Sequence, residues 1–99
     1  VSDSIFMARE LAMIFAAKEA VIKALRPAVE IPAWQEIEIH RLSDGTARVE
    51  LSGNAAQLAK RHGITQWSLQ MHHDGTSAIA TAMAHGSKDE SQGALNENR

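Results

Sequence analysis

Phe15-Ala16-Ala17-Lys18-Glu19-Ala20-Val21-Ile22-Lys23-Ala24-Leu25 reads as helix and as little else. Alanine and straight-chain residues lose little freedom in a helix, and no Gly or Pro interrupts the run. Toward the start, Leu11 joins Phe15, Ile22 and Leu25 at helical spacing, so a helix is expected from about Ser4 to Leu25. Ser2, Asp3 and Ser4 all suit the N-cap, where a short polar side chain accepts from an unpaired N–H. Pro27 ends the run, because it lacks an N–H and its ring clashes with the preceding turn. Phe15, Glu19 and Lys23 stand four apart and stack along one face, which sets the two charges beside an apolar stripe.

Beyond Pro32 the period changes from helical to alternating. From Glu36 to Leu42, Ile37 and Ile39 take one side and Glu36, Glu38 and His40 the other, as in a half-buried strand. Asp44-Gly45 signals a hairpin, and a return strand is expected from Thr46 to Leu51 with Ala47, Val49 and Leu51 inward. Gly53-Asn54 opens a second helix, about Asn54 to His62, stopped by Gly63 in a left-handed cap. Trp67, Leu69, Met71 and His73 share one face of a third strand. Asp74-Gly75 turns the chain, and Ser77 to Ala84 forms a fourth strand of small residues. The order α-β-β-α-β-β predicts an α+β domain, an antiparallel sheet packed with helices, over residues 1–85. Residues 86–99 are polar, contain two glycines and few large apolar groups, and are expected to form a disordered tail.

Composition narrows the function classes. With 44% hydrophobic and 22% charged residues the chain is an ordinary globular domain, and 99 residues make one. A domain this small buries a limited share of its surface, so association with a partner subunit is expected. There is no cysteine, which removes disulfides and thiolate metal sites and fits a cytoplasmic protein. Charges break every apolar run, so no membrane span is expected, and Val1 to Ser4 carry no basic leader pattern. A net charge of −2 argues against general nucleic-acid binding. An anionic ligand would need a local cluster of cations.

Three places hold candidate chemistry. Glu19 and Lys23 could be an ordinary i,i+4 pair stabilising the helix by ~0.2–0.5 kcal/mol. They could instead be a carboxylate that helps hold Mg²⁺ beside an ammonium facing phosphate oxygens, since Mg²⁺ takes few carboxylates and completes its shell with phosphate and water. His72-His73-Asp74-Gly75 is the second place. Neighbouring strand residues point to opposite faces, so the two histidines do not chelate one zinc. His73 is either a strand-end residue satisfied by backbone or an imidazole that meets a phosphate or moves a proton. The third is the set Lys18, Lys23, Arg26, Arg48, Lys60 and Arg61, solvated if scattered and diphosphate-binding if convergent. No phosphate loop, nucleophile elbow or dinucleotide fingerprint occurs.

These pieces in this order resemble the 4′-phosphopantetheinyl transferase superfamily, of the holo-acyl-carrier-protein synthase kind. Phe15-Ala-Ala-Lys18-Glu19-Ala-Val-Ile-Lys23 is similar to the family's signature helix, an aromatic followed by x-x-Lys-Glu-Ala/Ser-x-x-Lys. The Glu-Ile-Glu-Ile strand, the turn with Gly, Val-Glu-Leu-Ser-Gly and the alanine-rich helix follow in the family's order. Trp67-Ser-Leu-Gln-Met-His-His73-Asp74-Gly75 with Ala78-Ile-Ala80 resembles its Ser-hydrophobic-Ser-His motif. The likeness runs from Leu11 to Ala84. It implies a Mg²⁺-dependent enzyme of fatty acid or polyketide biosynthesis, moving the phosphopantetheine arm of coenzyme A to a serine of an acyl carrier protein. It implies Glu19 as the Mg²⁺ ligand, Lys23 as phosphate contact or proton acceptor, His73 as a coenzyme A contact, and Lys18 as a further phosphate contact. The short synthases it resembles are trimers with sites between subunits, so a homo-oligomer is expected.

Three departures stand out. The family begins with a strand bearing Gly-x-Asp, whose Asp is another Mg²⁺ ligand, and here only Val1 to Phe6 precede the helix region; the chain is expected to correspond to the C-terminal part of such an enzyme. Gly45-Thr46-Ala47 replaces a common Gly-Lys-Pro. Gln70 and His72 stand where serines are usual. A module that keeps the fold and binds coenzyme A or a carrier protein without catalysis is the alternative.

Overall fold

In the computed structural model, which describes residues 2–28, 30–43, 46–74 and 77–86, helix α1 spans Ser2–Leu25. It starts at Ser2, so Asp3 and Ser4 lie inside its first turn and are not its caps. The buried stripe is Met13, Ala17, Val21 and Leu25, whereas Leu11 and Phe15 are each 58% exposed. That corrects the expectation for Leu11 and Phe15, and the partner explains it. Helix α1 packs chiefly on strand β4 (Ala78–Gly86), whose Ala78, Ala80 and Ala82 are half-buried. Small side chains on both elements let the backbones approach, and a phenyl ring in that seam would hold them apart. At the far end Arg26 takes φ 49, its N–H donates to the Lys23 carbonyl at 3.2 Å, and Pro27 follows. A non-glycine residue in this left-handed region is uncommon, and here it closes the helix.

A short 3-10 turn, Trp34–Glu36, leads into β1 (Ile37–Arg41), which pairs antiparallel with β2 (Ala47–Leu51). Ile37 faces Leu51 and Ile39 faces Val49 on the inner side. Glu38 faces Glu50 and His40 faces Arg48 on the outer side. The expected turn at Asp44-Gly45 lies outside the described residues. Leu42 N–H donates to the Thr46 carbonyl at 2.9 Å on either side of it. Helix α2 (Gly53–Arg61) then buries Ala55, Leu58 and Ala59, and Gly63 follows at φ 74 as expected of a left-handed stop.

Strand β3 (Ile64–His73) pairs antiparallel with β4, with a bulge between Ile64 and Gln66. Gly75 of the expected Asp74-Gly75 turn lies outside the described residues, but Ser77 N–H donates to Asp74 Oδ1 at 2.9 Å. Strand β4 runs on to Gly86, past the Ala84 expected from its sequence. Gly86, expected to open the tail, is the last residue of that strand, and residues 87–99, the rest of the expected tail, lie outside the described residues. The α+β order is as the sequence predicts, and the four strands form two separate antiparallel pairs, β1–β2 and β3–β4. The core where they meet is Val21, Leu25, Ile37, Ala55, Leu58 and Ala59, with Ile39, Val49, Leu51 and Trp67 packed against it. Full burial of such aliphatic side chains is worth about 1.5–3 kcal/mol each. Among the described residues no helix is long and apolar enough to cross a membrane.

One long-range contact shapes the entry to α2. Ser52 occupies the N-cap position without a side-chain bond. Glu36 takes over the role: its Oε1 accepts from Ala55 N–H at 3.1 Å, and its carbonyl accepts from Ser52 N–H at 2.9 Å. A carboxylate there meets both the unpaired N–H groups and the positive end of the helix dipole.

Candidate active site

The outward face of α1 carries Glu19 and Lys23, while the opposite one is sealed in the core. Three interactions of α1 side chains tie the helix to the rest of the chain. The Phe15 and Trp34 rings meet edge-to-face with centroids 5.0 Å apart. Lys18 Nζ donates to the Trp34 carbonyl at 3.1 Å and lies 5.8 Å from the centre of the Trp34 ring. Glu10 Oε1 accepts from Arg41 Nη1 at 2.7 Å. Lys18 is therefore already engaged in holding the Trp34 connection, with donors left over for an anion.

Glu19 and Lys23 are different. Both are exposed, and among the described residues neither makes a side-chain hydrogen bond or an ion pair, with each other or with anything else. The i,i+4 bridge that their spacing permits is not formed. Lys23 sits in the last turn of α1, where its charge also suits the negative end of the helix dipole. His73 ends β3, exposed, on the strand face that it shares with Trp67, Leu69 and Met71, opposite Ala78 in register. His72 points to the other face. The helix thus sets Glu19 and Lys23 one turn apart on one face, with Lys18 about a quarter turn round from Glu19 and directed at Trp34, while no hydrogen bond or ion pair among the described residues links His73 to them.

The remaining cations do not join this face in one basin. Arg48 lines an open cleft of about 710 Å³ between β2 and β3, with Thr65, Trp67, Ser68 and His85. Lys60 lines a cavity of about 390 Å³, and Arg61 another of about 180 Å³ beside Glu30 and Pro32. Two polar groupings escaped sequence reasoning. Ser68 Oγ and His85 Nε2 lie 2.9 Å apart across β3 and β4. His40 Nε2 lies 2.9 Å from Glu50 Oε1 and 3.3 Å from Glu38 Oε1 on the outer side of β1–β2. The second was within reach of the strand alternation once the β1–β2 register was known. The first depends on a diagonal pairing that no local pattern reveals.

Comparison with known proteins converges on one family. The family profile for the 4′-phosphopantetheinyl transferase superfamily matches residues 2–84. A holo-[acyl-carrier-protein] synthase of Desulforudis audaxviator is 44% identical over 72 residues, covering 73% of this chain and 55% of that protein. One from Clavibacter michiganensis is 42% identical over 79 residues, covering 80% of this chain and 66% of its own. The chain thus spans between about half and two thirds of the length of these relatives. Among solved structures, the Plasmodium yoelii acyl carrier protein synthase with ADP bound superposes with a TM-score of 0.72 at 31% identity, covering 83% of this chain and 61% of that one. Helicobacter pylori holo-[acyl-carrier-protein] synthase in complex with coenzyme A gives 0.63 at 28% identity, covering 78% and 65%. On the match across residues 2–84, and on the α+β order shared with these synthases, the chain belongs to the 4′-phosphopantetheinyl transferase superfamily.

Proposed function

We propose that the chain serves the Mg²⁺-dependent transfer of the 4′-phosphopantetheine arm from coenzyme A to a serine of an acyl carrier protein, in the cytoplasm. The observation that carries this reading is the unpaired state of Glu19 and Lys23. They stand at ideal spacing for a bridge, yet the carboxylate and the ammonium both remain available. A free carboxylate with open solvent around it suits Mg²⁺, which takes one or two such ligands and fills its shell with phosphate oxygens and water. When bound, the ion supplies charge neutralisation at the diphosphate.

In the reaction the serine hydroxyl oxygen attacks the phosphorus that bears pantetheine. The phosphorus–oxygen bond to 3′,5′-ADP breaks, and the hydroxyl proton passes to a base. Little covalent work is asked of the protein; positioning and charge do most of it. Lys23 either neutralises the phosphate oxygens as an ammonium or accepts the serine proton as a neutral amine. Lys18 adds a donor from the neighbouring side of the helix, and His73 contacts coenzyme A from the end of β3. The functional unit is a homo-oligomer, with a trimer the expected form.

The test is a mass assay of pantetheine transfer to apo carrier protein, run with a Mg²⁺ series on wild type and Glu19→Gln. Wild-type transfer that rises with Mg²⁺, and at least tenfold slower transfer without that dependence in the variant, is the expected outcome. A wild-type chain that binds coenzyme A but transfers nothing would favour the non-catalytic binding module. A chain that does not bind coenzyme A at all overturns both.

A further inference from the structure

The outer side of the β1–β2 hairpin holds a grouping that the transfer reaction does not use. Glu38 and Glu50 are direct cross-strand partners, so two carboxylates stand opposite each other, an arrangement that costs stability when nothing lies between them. His40, two residues on from Glu38 and on the same face, turns its Nε2 toward both, 2.9 Å from Glu50 Oε1 and 3.3 Å from Glu38 Oε1. A single imidazole brings at most one positive charge against two negative ones. Arg48 is the cross-strand partner of His40 on this face, yet it forms an ion pair with neither carboxylate. The guanidinium opposite His40 thus leaves the negative site open.

The geometry suits a small cation. One donor atom from each of Glu38, His40 and Glu50 lies within 4.8 Å of the other two. A tetrahedral metal with N and O ligands at about 2.0–2.2 Å separates its ligand atoms by about 3.3–3.6 Å. The imidazole–carboxylate distances of 2.9 and 3.3 Å need to open by only tenths of an ångström to admit one. We propose that Glu38, His40 and Glu50 bind one borderline divalent transition-metal ion, of which Zn²⁺ is the type, with water completing the shell. The nitrogen donor sets this site apart from the all-oxygen chemistry that Mg²⁺ prefers. The half-exposed His40 and the largely exposed glutamates, 61% and 60%, leave an open path for entry and for the water. All three ligands come from two adjacent strands, so the ion clips the hairpin together.

The experiment uses the whole chain, stripped with chelator and titrated with ZnCl₂ by calorimetry. Wild type and the control His62→Gln should take up one Zn²⁺ per chain, while His40→Gln and Glu50→Gln should each bind more than about tenfold more weakly. Equal affinity in all four proteins, with the strand signature in circular dichroism unchanged, overturns the site. Should a variant lose its fold, the wild type decides alone. Co²⁺, added as a paramagnetic probe, should broaden the amide signals of Ile37–Arg41 and Ala47–Leu51 first. Broadening confined to His72 and His73, or to residues 87–99, overturns the proposal.

Discussion

Lys23 and His73 illustrate how a side chain acquires meaning from what it fails to touch. Each is exposed and without a hydrogen-bonded partner among the described residues, so replacing either removes little that holds the fold. Surface substitutions of this kind usually change stability by less than about 0.5 kcal/mol. Their effect should therefore appear in binding. Hydrogen bonds to charged groups contribute about 1.5–3 kcal/mol, so Lys23→Ala and His73→Ala are each expected to weaken coenzyme A binding about tenfold or more in calorimetry. Wild-type affinity in both would return them to the helix dipole and the strand end. Phe15 shows the opposite limit of sequence reasoning. Its spacing to Glu19 and Lys23 was readable, but its place was not. Two apolar stripes run along α1, and only its distant partners, β4 together with the Ile37, Ala55, Leu58 and Ala59 core, decide that Met13, Ala17, Val21 and Leu25 are the buried one.

Elements were legible where their signals are local. The two helices, the β1–β2 hairpin and the β3–β4 hairpin follow from period changes and turn residues within a few positions of each other. The division of the strands into two separate pairs was not legible, because it depends on contacts between distant segments that no alternation encodes. The entry to α2 belongs to the same class, since its cap comes from Glu36 on the far side of a hairpin. Gly53 there has φ 54, and an added Cβ would lie 2.6 Å from Glu36 Oε2. Gly63 at the other end has φ 74 and open space around it. Alanine at Gly63 meets only the conformational cost of the left-handed region, and alanine at Gly53 also displaces the capping carboxylate. Urea unfolding should show Gly53→Ala destabilised by about 1–3 kcal/mol. It should also lose more than Gly63→Ala; equal losses would mean that Glu36 moves aside freely.

At the scale of the molecule, the most telling feature is apolar surface without cover. Ile5, Phe6, Met7, Leu11 and Phe15 on α1 are 49 to 63% exposed, and Met83 on β4 is 56% exposed. A domain this small, with nine buried hydrophobic residues among those described, would gain from burying such surface against another copy. Sedimentation at micromolar concentration should show an oligomer, a trimer in the expected case. A monomer at the highest soluble concentration would remove the homo-oligomer from the proposed function. The seam between α1 and β4 carries a different consequence, for the order of events on the ribosome. The helix leaves the exit tunnel well before its main partner strand, which begins only at Ala78. Synthesis at about 5–20 residues per second leaves that interval lasting some seconds. The β1–β2 hairpin can close locally in the meantime, whereas the side of the helix that β4 will cover stays open. The nascent chain is thus most vulnerable to mispairing before β4 emerges.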